Sequence, residues 1–241
     1  MYKVALSLAM LFVLPSVAIS NSYANQVSPA ATEMKQQTAG SPVYIQIFKE
    51  ERVLELYART GDEYKLVRSY PICKYSGGLG PKMTEGDFKS PEGFYQVDLK
   101  QLKPDSHYYR AINVGFPNEY DRAHGYSGRY LMIHGECVSI GCYAMTNKYI
   151  EEIYTYVEKA LRNGQQKVEL AIYPFRMNEQ NMKRHSRSTY YKFWNQLQPG
   201  YAYFNKTHQP PAVSVLNGQY VVNQSEPGKQ PASNYALAKT K

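Results

Sequence analysis

The 241-residue sequence lacks an apolar run of the roughly 20 residues that span a bilayer. Its longest uncharged, largely apolar run, Val4 to Val17, falls short of that length. No cysteine lies near position 24, so a mature N-terminus there has no acceptor for a lipid anchor. No basic run appears of the kind that forms a phosphate-binding stripe, which argues against nucleic acid as a partner. Paired Cys-x2-4-Cys and His-x3-5-His sets, the usual ligands of structural zinc, are missing as well. The glycine-rich stretch Ser76-Gly77-Gly78-Leu79-Gly80-Pro81 is followed by no Gly-Lys-Ser/Thr and opens no helix, so it reads as turn punctuation rather than a phosphate cradle. No cofactor and no metal are expected.

The beginning of the chain is informative. Lys3 precedes the apolar run, and small and polar residues ending in Ser22-Tyr23-Ala24 follow it, the pattern of a signal peptide over 1-24 with cleavage near Ala24. The expected location is the periplasm, with no transmembrane helix in the mature protein. Lys3 is the only charged residue removed, so a formal net charge of +8 becomes +7. Such a balance suits anionic wall carboxylates and lipid phosphates, although most of these side chains read as a solvated surface.

Residues 25-40, rich in Ala, Gln, Ser and Thr, read as a flexible leader. A main domain over 41-177 opens with Val43 to Phe48, Val53 to Tyr57 and Tyr64 to Arg68, short runs rich in β-branched and aromatic residues that predict a strand meander. Further strands are expected after Ser90-Pro91-Glu92-Gly93, at Tyr108 to Val114, at Arg129 to His134 and at Lys167 to Tyr173. One helix is clear: Thr146 or Asn147 caps it, Glu151 and Glu152 are expected in its first turn, Gly164 ends it, and Ile150, Ile153, Tyr154, Val157 and Leu161 form a core stripe. Residues 178-222 read as a C-terminal appendage, with a helix from Asn178 to about Leu197 and a cluster of aromatics. Those rings suit packing first and a platform for sugar rings second. Residues 223-241 carry too little apolar content to pack and read as a disordered tail.

Three cysteines, Cys73, Cys137 and Cys142, leave at least one thiol unpaired within the chain in an oxidising compartment. A buried, inert thiol is one explanation. The segment Ile133-His134-Gly135-Glu136-Cys137-Val138-Ser139-Ile140-Gly141-Cys142 offers another. A free thiol is only a few per cent ionised at neutral pH, and a nearby imidazole can take its proton and later pass it to a leaving amine. His134 ends an apolar strand, and Gly135 is expected to let the chain turn sharply and bring Cys142 back beside it. The backbone N–H groups of Gly141 and Cys142 would lie near the sulfur as oxyanion donors. By spacing alone His134 and Cys142, with Cys137, would also suit a metal.

The residues Ile133-His134-Gly135 and Ser139-Ile140-Gly141-Cys142, with the upstream turn Ser90-Pro91-Glu92-Gly93-Phe94, resemble the YkuD-type L,D-transpeptidases of bacterial peptidoglycan, and among them the YafK/DpaA branch. The likeness runs from about Ser41 to Tyr220 and includes Gly115-Phe116-Pro117-Asn118 and Cys142-Tyr143-Ala144-Met145-Thr146. It implies an α+β, mostly β catalytic domain in which Cys142 is the nucleophile, His134 the proton donor and acceptor, and the Gly135 carbonyl orients the imidazole. It further implies stem peptides of peptidoglycan as substrate, at diaminopimelate, with a wall-linked lipoprotein as a partner if water is the acceptor and the enzyme is an amidase. If an amine accepts, it is a cross-linking or protein-attaching transpeptidase. This chain departs from the wider family in having Ile140 before Gly-Cys and Ala144 where an Arg is usual. His124 lies nearer the wider family's spacing from the cysteine, but it sits in the polar run Asp121 to Gly125, and His134 is preferred. Cys73 and Cys137 could pair and leave Cys142 free; a Cys137-Cys142 bond would block the nucleophile. A rival from another class is a non-catalytic wall-binding or adhesion protein that uses its basic, tyrosine-rich surface.

Overall fold

The computed structural model describes residues 38–223. The expected signal peptide, most of the leader and all but the first residue of the expected tail lie outside the described residues. In chain order the strands are β1 (Val43–Phe48), β2 (Val53–Thr60), β3 (Glu63–Pro71), β4 (Gly93–Val97), β5 (Leu102–Ser106) and β6 (Tyr109–Asn113). They continue with β7 (Met132–His134), β8 (Tyr143–Ala144), β9 (Val168–Tyr173), β10 (Val213–Leu216) and β11 (Gln219–Val222). The helices are α1 (Glu119–Ala123), α2 (Asn147–Arg162), α3 (Glu179–Arg184) and α4 (Tyr191–Thr207).

Five strands form the main sheet in the order β3-β2-β1-β9-β4, and four short ones form a second sheet, β5-β6-β7-β8. The meander expected at the start is β1 to β3, antiparallel throughout. Every residue of β1 is buried, because β1 is central and both of its faces are covered. Val43, Ile45 and Ile47 turn toward one core with Leu170 and Ile172 of β9, Ile112 and Ile133 of the second sheet, and the apolar stripe of α2. Tyr44 and Phe48 turn the other way, into a second core with Tyr173, Trp194, Leu197, Tyr201 and Phe204. The mostly β, α+β class expected from the sequence is what is observed.

Thr146 is the cap of α2 and accepts from the backbone N–H of Tyr149 at 3.2 Å. Glu151 and Glu152 do not sit in the first turn; they lie one turn further on and form ion pairs with Arg110 at 2.6 Å and Arg68 at 2.9 Å. The helix expected from Asn178 to about Leu197 is two helices. It breaks at His185, whose ring stacks on Phe175 and meets Glu50, and resumes in α4, which runs through Pro199 to Thr207. Proline inside a helix removes a hydrogen bond and costs about 3 kcal/mol. The apolar face of α4, buried from Phe193 to Phe204 on the main sheet, outweighs that loss at about 1.5–3 kcal/mol per buried large side chain. Gly200 permits this approach, since a Cβ there would meet the Phe94 ring at 2.6 Å. The expected aromatic platform is thus largely core: Phe193, Trp194, Tyr201 and Phe204 are buried.

Between the two cores lies a charged pair that sequence reading did not single out. Lys49 and Glu92 are both buried and meet at 2.9 Å. The Lys49 ammonium also donates to the carbonyls of Gly80 and Ser90, each at 3.0 Å. Glu92 accepts from the Gly80 N–H at 2.7 Å and from Trp194 Nε1 at 2.8 Å. Burial pushes the Lys49 ammonium below its usual range, and Glu92 opposes that shift. Removing one partner of such a pair strands a charge in the interior. Lys49→Met is therefore expected to destabilise the fold by about 3–5 kcal/mol in urea unfolding, while Lys49→Met combined with Glu92→Gln loses less than the two single changes together.

Candidate active site

The site is assembled by the second sheet. β7 pairs with β8 in parallel, setting Ile133 opposite Tyr143 and His134 opposite Ala144. Ile133 and Tyr143 point into the core. Alternation along the pleat puts His134 on the other face, together with Met132, Ala144 and, one residue before β8, Cys142. The half-buried thiol of Cys142 lies at the entry of β7: it donates to the Tyr130 carbonyl at 3.6 Å, and the Met132 N–H points at the sulfur. His134 and Cys142 thus share one face of a two-strand ladder, although no hydrogen bond joins them among the described residues.

His134 is 2 % exposed and held from three sides. Its Nδ1 lies 2.7 Å from the Gly135 carbonyl, its ring packs on Tyr108 at a centroid distance of 4.6 Å, and its carbonyl accepts from the Met145 N–H at 2.7 Å. With Nδ1 protonated toward Gly135, the Nε2 lone pair is available as a base. Burial pushes the imidazole pKa down, opposed by the Gly135 carbonyl and Glu136. Burial likewise pushes the Cys142 thiol up, opposed by the Met132 N–H and Lys82. Both shifts favour the uncharged forms.

Gly135 does not serve as the sharp turn expected of it. The left-handed residues are the next two, Glu136 at φ 67° and Cys137 at φ 51°. Gly135 is required for a different reason: a Cβ there would lie 2.5 Å from Asn147 Oδ1 and 2.8 Å from the Tyr108 carbonyl. Asn147 Oδ1 accepts from the Glu136 N–H at 2.8 Å, so the start of α2 helps to hold the turn.

The expected oxyanion donor Gly141 also needs correction. Its N–H donates to Ser76 Oγ at 2.5 Å and is committed there, whereas the N–H of Cys142 meets no acceptor among the described residues. Ser76 is tied in turn to the motif turn: its N–H donates to Ser90 Oγ at 3.2 Å, and the Ser90 hydroxyl donates to the Cys142 carbonyl at 3.3 Å. Ser139 Oγ donates to the same carbonyl at 2.7 Å.

Cys73 and Cys137 form a disulfide, which leaves Cys142 free. The bond closes 64 residues of chain, and a loop of that length stabilises the fold by about 4 kcal/mol in the loop-entropy picture. It also anchors the turn locally, because Cys73 donates to the Ala144 carbonyl at 2.9 Å and Ala144 donates to Lys74 at 2.8 Å. His124 lies elsewhere, its Nδ1 2.9 Å from the Tyr120 carbonyl and its ring stacked on Tyr120. Lys82 was not singled out in the sequence, and no local pattern marks it. This buried cation is the charged group whose field reaches Cys142; it is held by Asp87 at 2.7 Å and by the Thr84 carbonyl at 3.0 Å. Burial pushes Asp87 up, but Lys82 and three backbone N–H groups outweigh it and hold the carboxyl at about 2. No group of three His, Cys, Asp or Glu side chains among the described residues is arranged to hold a metal, and no helix among them is long and apolar enough to cross a membrane.

A free cysteine and a buried, carbonyl-held histidine thus lie on paired strands of a small sheet, on the residues that carry the sequence motif. The chain matches the L,D-transpeptidase catalytic domain model, YkuD, over residues 42–170 and belongs to that family. It is 60% identical, over the full length of both chains, to YafK of Escherichia coli K12, a protein provisionally named an L,D-transpeptidase. The same identity and coverage hold for YafK of Escherichia coli O157:H7. Among solved structures, the helical cell shape determining protein Pgp2 of Campylobacter jejuni is similar at a TM-score of 0.45 and 19% identity, covering 72% of each chain. Bd1075 of Bdellovibrio bacteriovorus is similar at 0.39 and 23%, over 65% of this chain and 58% of that one.

Two outcomes follow for the site. Because the thiol is raised and the imidazole lowered, the rate of Cys142 alkylation by iodoacetamide is expected to keep climbing with pH beyond the range in which a free thiol ionises. A plateau reached below pH 7 would instead indicate a preformed thiolate-imidazolium pair. Gly135→Ala is expected to keep the fold, by circular dichroism, while lowering acyl-transfer rate by about 10²-fold or more through displacement of the imidazole.

Proposed function

We propose that this protein is an exported cysteine acyl-transfer enzyme of the cell wall that hydrolyses an amide at diaminopimelate in peptidoglycan stem peptides, detaching a wall-linked lipoprotein. The observation that carries the reading is the free thiol of Cys142 on the same strand face as a neutral His134 whose Nε2 is unengaged, in a chain of the L,D-transpeptidase family.

The chemistry follows from the two side chains. Cys142 Sγ bonds to the amide carbonyl carbon as its proton passes to His134 Nε2, and the Gly135 carbonyl on Nδ1–H steadies the imidazolium that forms. The C–N bond then breaks, the departing amine takes the proton from Nε2, and a thioester remains. Water, deprotonated by the same nitrogen, cleaves the thioester and restores the thiol. The Cys142 N–H, which meets no acceptor among the described residues, serves in this reading as the backbone donor to the tetrahedral oxyanion. Exposed Ile140 and Tyr130, at 77% and 64%, flank the thiol and supply apolar surface for a bound peptide. Water as the acceptor rests on the likeness to the YafK branch; the signal-peptide pattern of residues 1-24 supports the periplasm as the place of action.

Purified protein incubated with muropeptides that carry a lipoprotein lysine-arginine remnant is expected to release that remnant, read by mass spectrometry. New cross-links without release would establish transpeptidation instead. Cys142→Ala is expected to abolish release, and His134→Gln to slow it by about 10²- to 10⁴-fold. If Cys142→Ala leaves wall binding and cellular phenotype unchanged, the protein is a wall-binding one and the catalytic reading fails.

A further inference from the structure

A cleft of about 770 Å3 opens away from the cysteine, between the end of the main sheet and the C-terminal hairpin; neither Cys142 nor His134 lines it. Its floor is the β9 face that continues into Ala171 and Tyr173, and Val213 and Val215 of β10 form one wall. Glu169 stands on that floor, in register between Tyr44 of β1 and Gln96 of β4. The next position of β9 on the same face, Ala171, is apolar and buried, so an apolar residue would be the expected occupant of position 169 if packing were its only task.

The charges around the cleft are arranged without being matched. The Glu169 carboxylate makes no ion pair and no side-chain hydrogen bond among the described residues. Burial pushes it up, and its own N–H and the field of Lys167 offset that only in part. Lys167 donates to Gln96 Oε1 at 3.0 Å and Arg122 to the Pro117 carbonyl at 2.6 Å, and neither forms an ion pair there. Both cations are exposed at the rim, where Glu119 is the other carboxylate. A half-enclosed carboxyl group inside and two exposed cations without ion pairs at the mouth form a dipolar receptor, and the volume lies in the range of about 300–1,000 Å3 that suits small ligands.

We propose that this cleft is a second binding site, separate from the Cys142 centre, for a zwitterionic amino acid or short peptide end. Glu169 takes the ammonium, Lys167 and Arg122 take the carboxylate, and Val213 and Val215 pack on the side chain between them. The proposal holds whether or not Cys142 acts as argued above.

The test is a ¹⁵N NMR titration of the full chain with the dipeptide alanyl-alanine, its N-acetyl derivative and its C-terminal amide. Alanyl-alanine is expected to shift the backbone signals of Gln96, Glu169 and Val213, the N-acetyl derivative to lose at least tenfold in affinity, and the amide to lose less. Glu169→Gln, close in size to the native residue, is expected to weaken alanyl-alanine at least tenfold while leaving thermal unfolding and Cys142 alkylation unchanged. If Glu169→Gln fails to fold, the exposed pair Lys167→Gln and Arg122→Gln tests the carboxylate half and is expected to erase the preference for the free acid over the amide. Equal binding of all three ligands, shifts confined to the Cys142 turn, or no shift at saturating dipeptide would overturn the proposal.

Discussion

The Glu92 carboxylate is where the parts of this fold meet. One oxygen takes Lys49, from the end of the central strand, and the N–H of Gly80; the other takes the indole of Trp194 in α4. Lys49 returns the chain of contacts to Ser90 through the Ser90 carbonyl, and the Ser90 hydroxyl reaches the carbonyl of Cys142. A residue of the C-terminal helix is thus four contacts from the backbone of Cys142. Because the pair is buried, each member is tolerable only while the other is present. From the C-terminal part of the chain, α4 covers one face of the main sheet and joins the network from that side through Trp194.

The same economy governs the turn that carries the thiol. Glu136 and Cys137 accept left-handed backbone conformations, and the surroundings enforce them: Asn147 holds one N–H, the disulfide holds one side chain, and Ser76 with Ser90 and Ser139 hold the far end. Strain of order 1–3 kcal/mol per residue persists where structure over-determines it. The electrostatics at the centre of this cage are mild. Burial favours the uncharged thiol and imidazole, and Lys82, the nearby cation, is already paired with Asp87.

Legibility from sequence tracked periodicity. β1 to β3, α2 and β9 carry strong strand or helix patterns and lie where expected. β5 escaped because Lys103-Pro104-Asp105 is polar and exposed, and β8 is too short to show any period; β7, expected over Arg129 to His134, spans only its last three residues. α4 contradicted local propensity at Pro199 because its packing surface, invisible in sequence, outweighs the proline. At the site, His134 and Cys142 were legible as a motif, and the odd cysteine showed that a free thiol must exist. The reason for Gly135 was not legible, since it is a collision with Asn147 and Tyr108, which are remote in sequence. Lys49, Glu92 and Lys82 were missed on the same ground: a buried charge looks like a surface charge until its partner is placed beside it.

The position of the disulfide along the chain bears on how Cys142 stays unpaired. For a chain threaded out of the cytoplasm N-terminus first, Cys73 reaches the oxidising side, then Cys137, and Cys142 last. The first two thiols to emerge are the two that belong together. Cys142 follows Cys137 by only five positions, too few for order of arrival to separate them over the seconds or longer that disulfides take to form; the selection rests on the fold, which sets Cys73 against Cys137 and leaves Cys142 without a thiol partner.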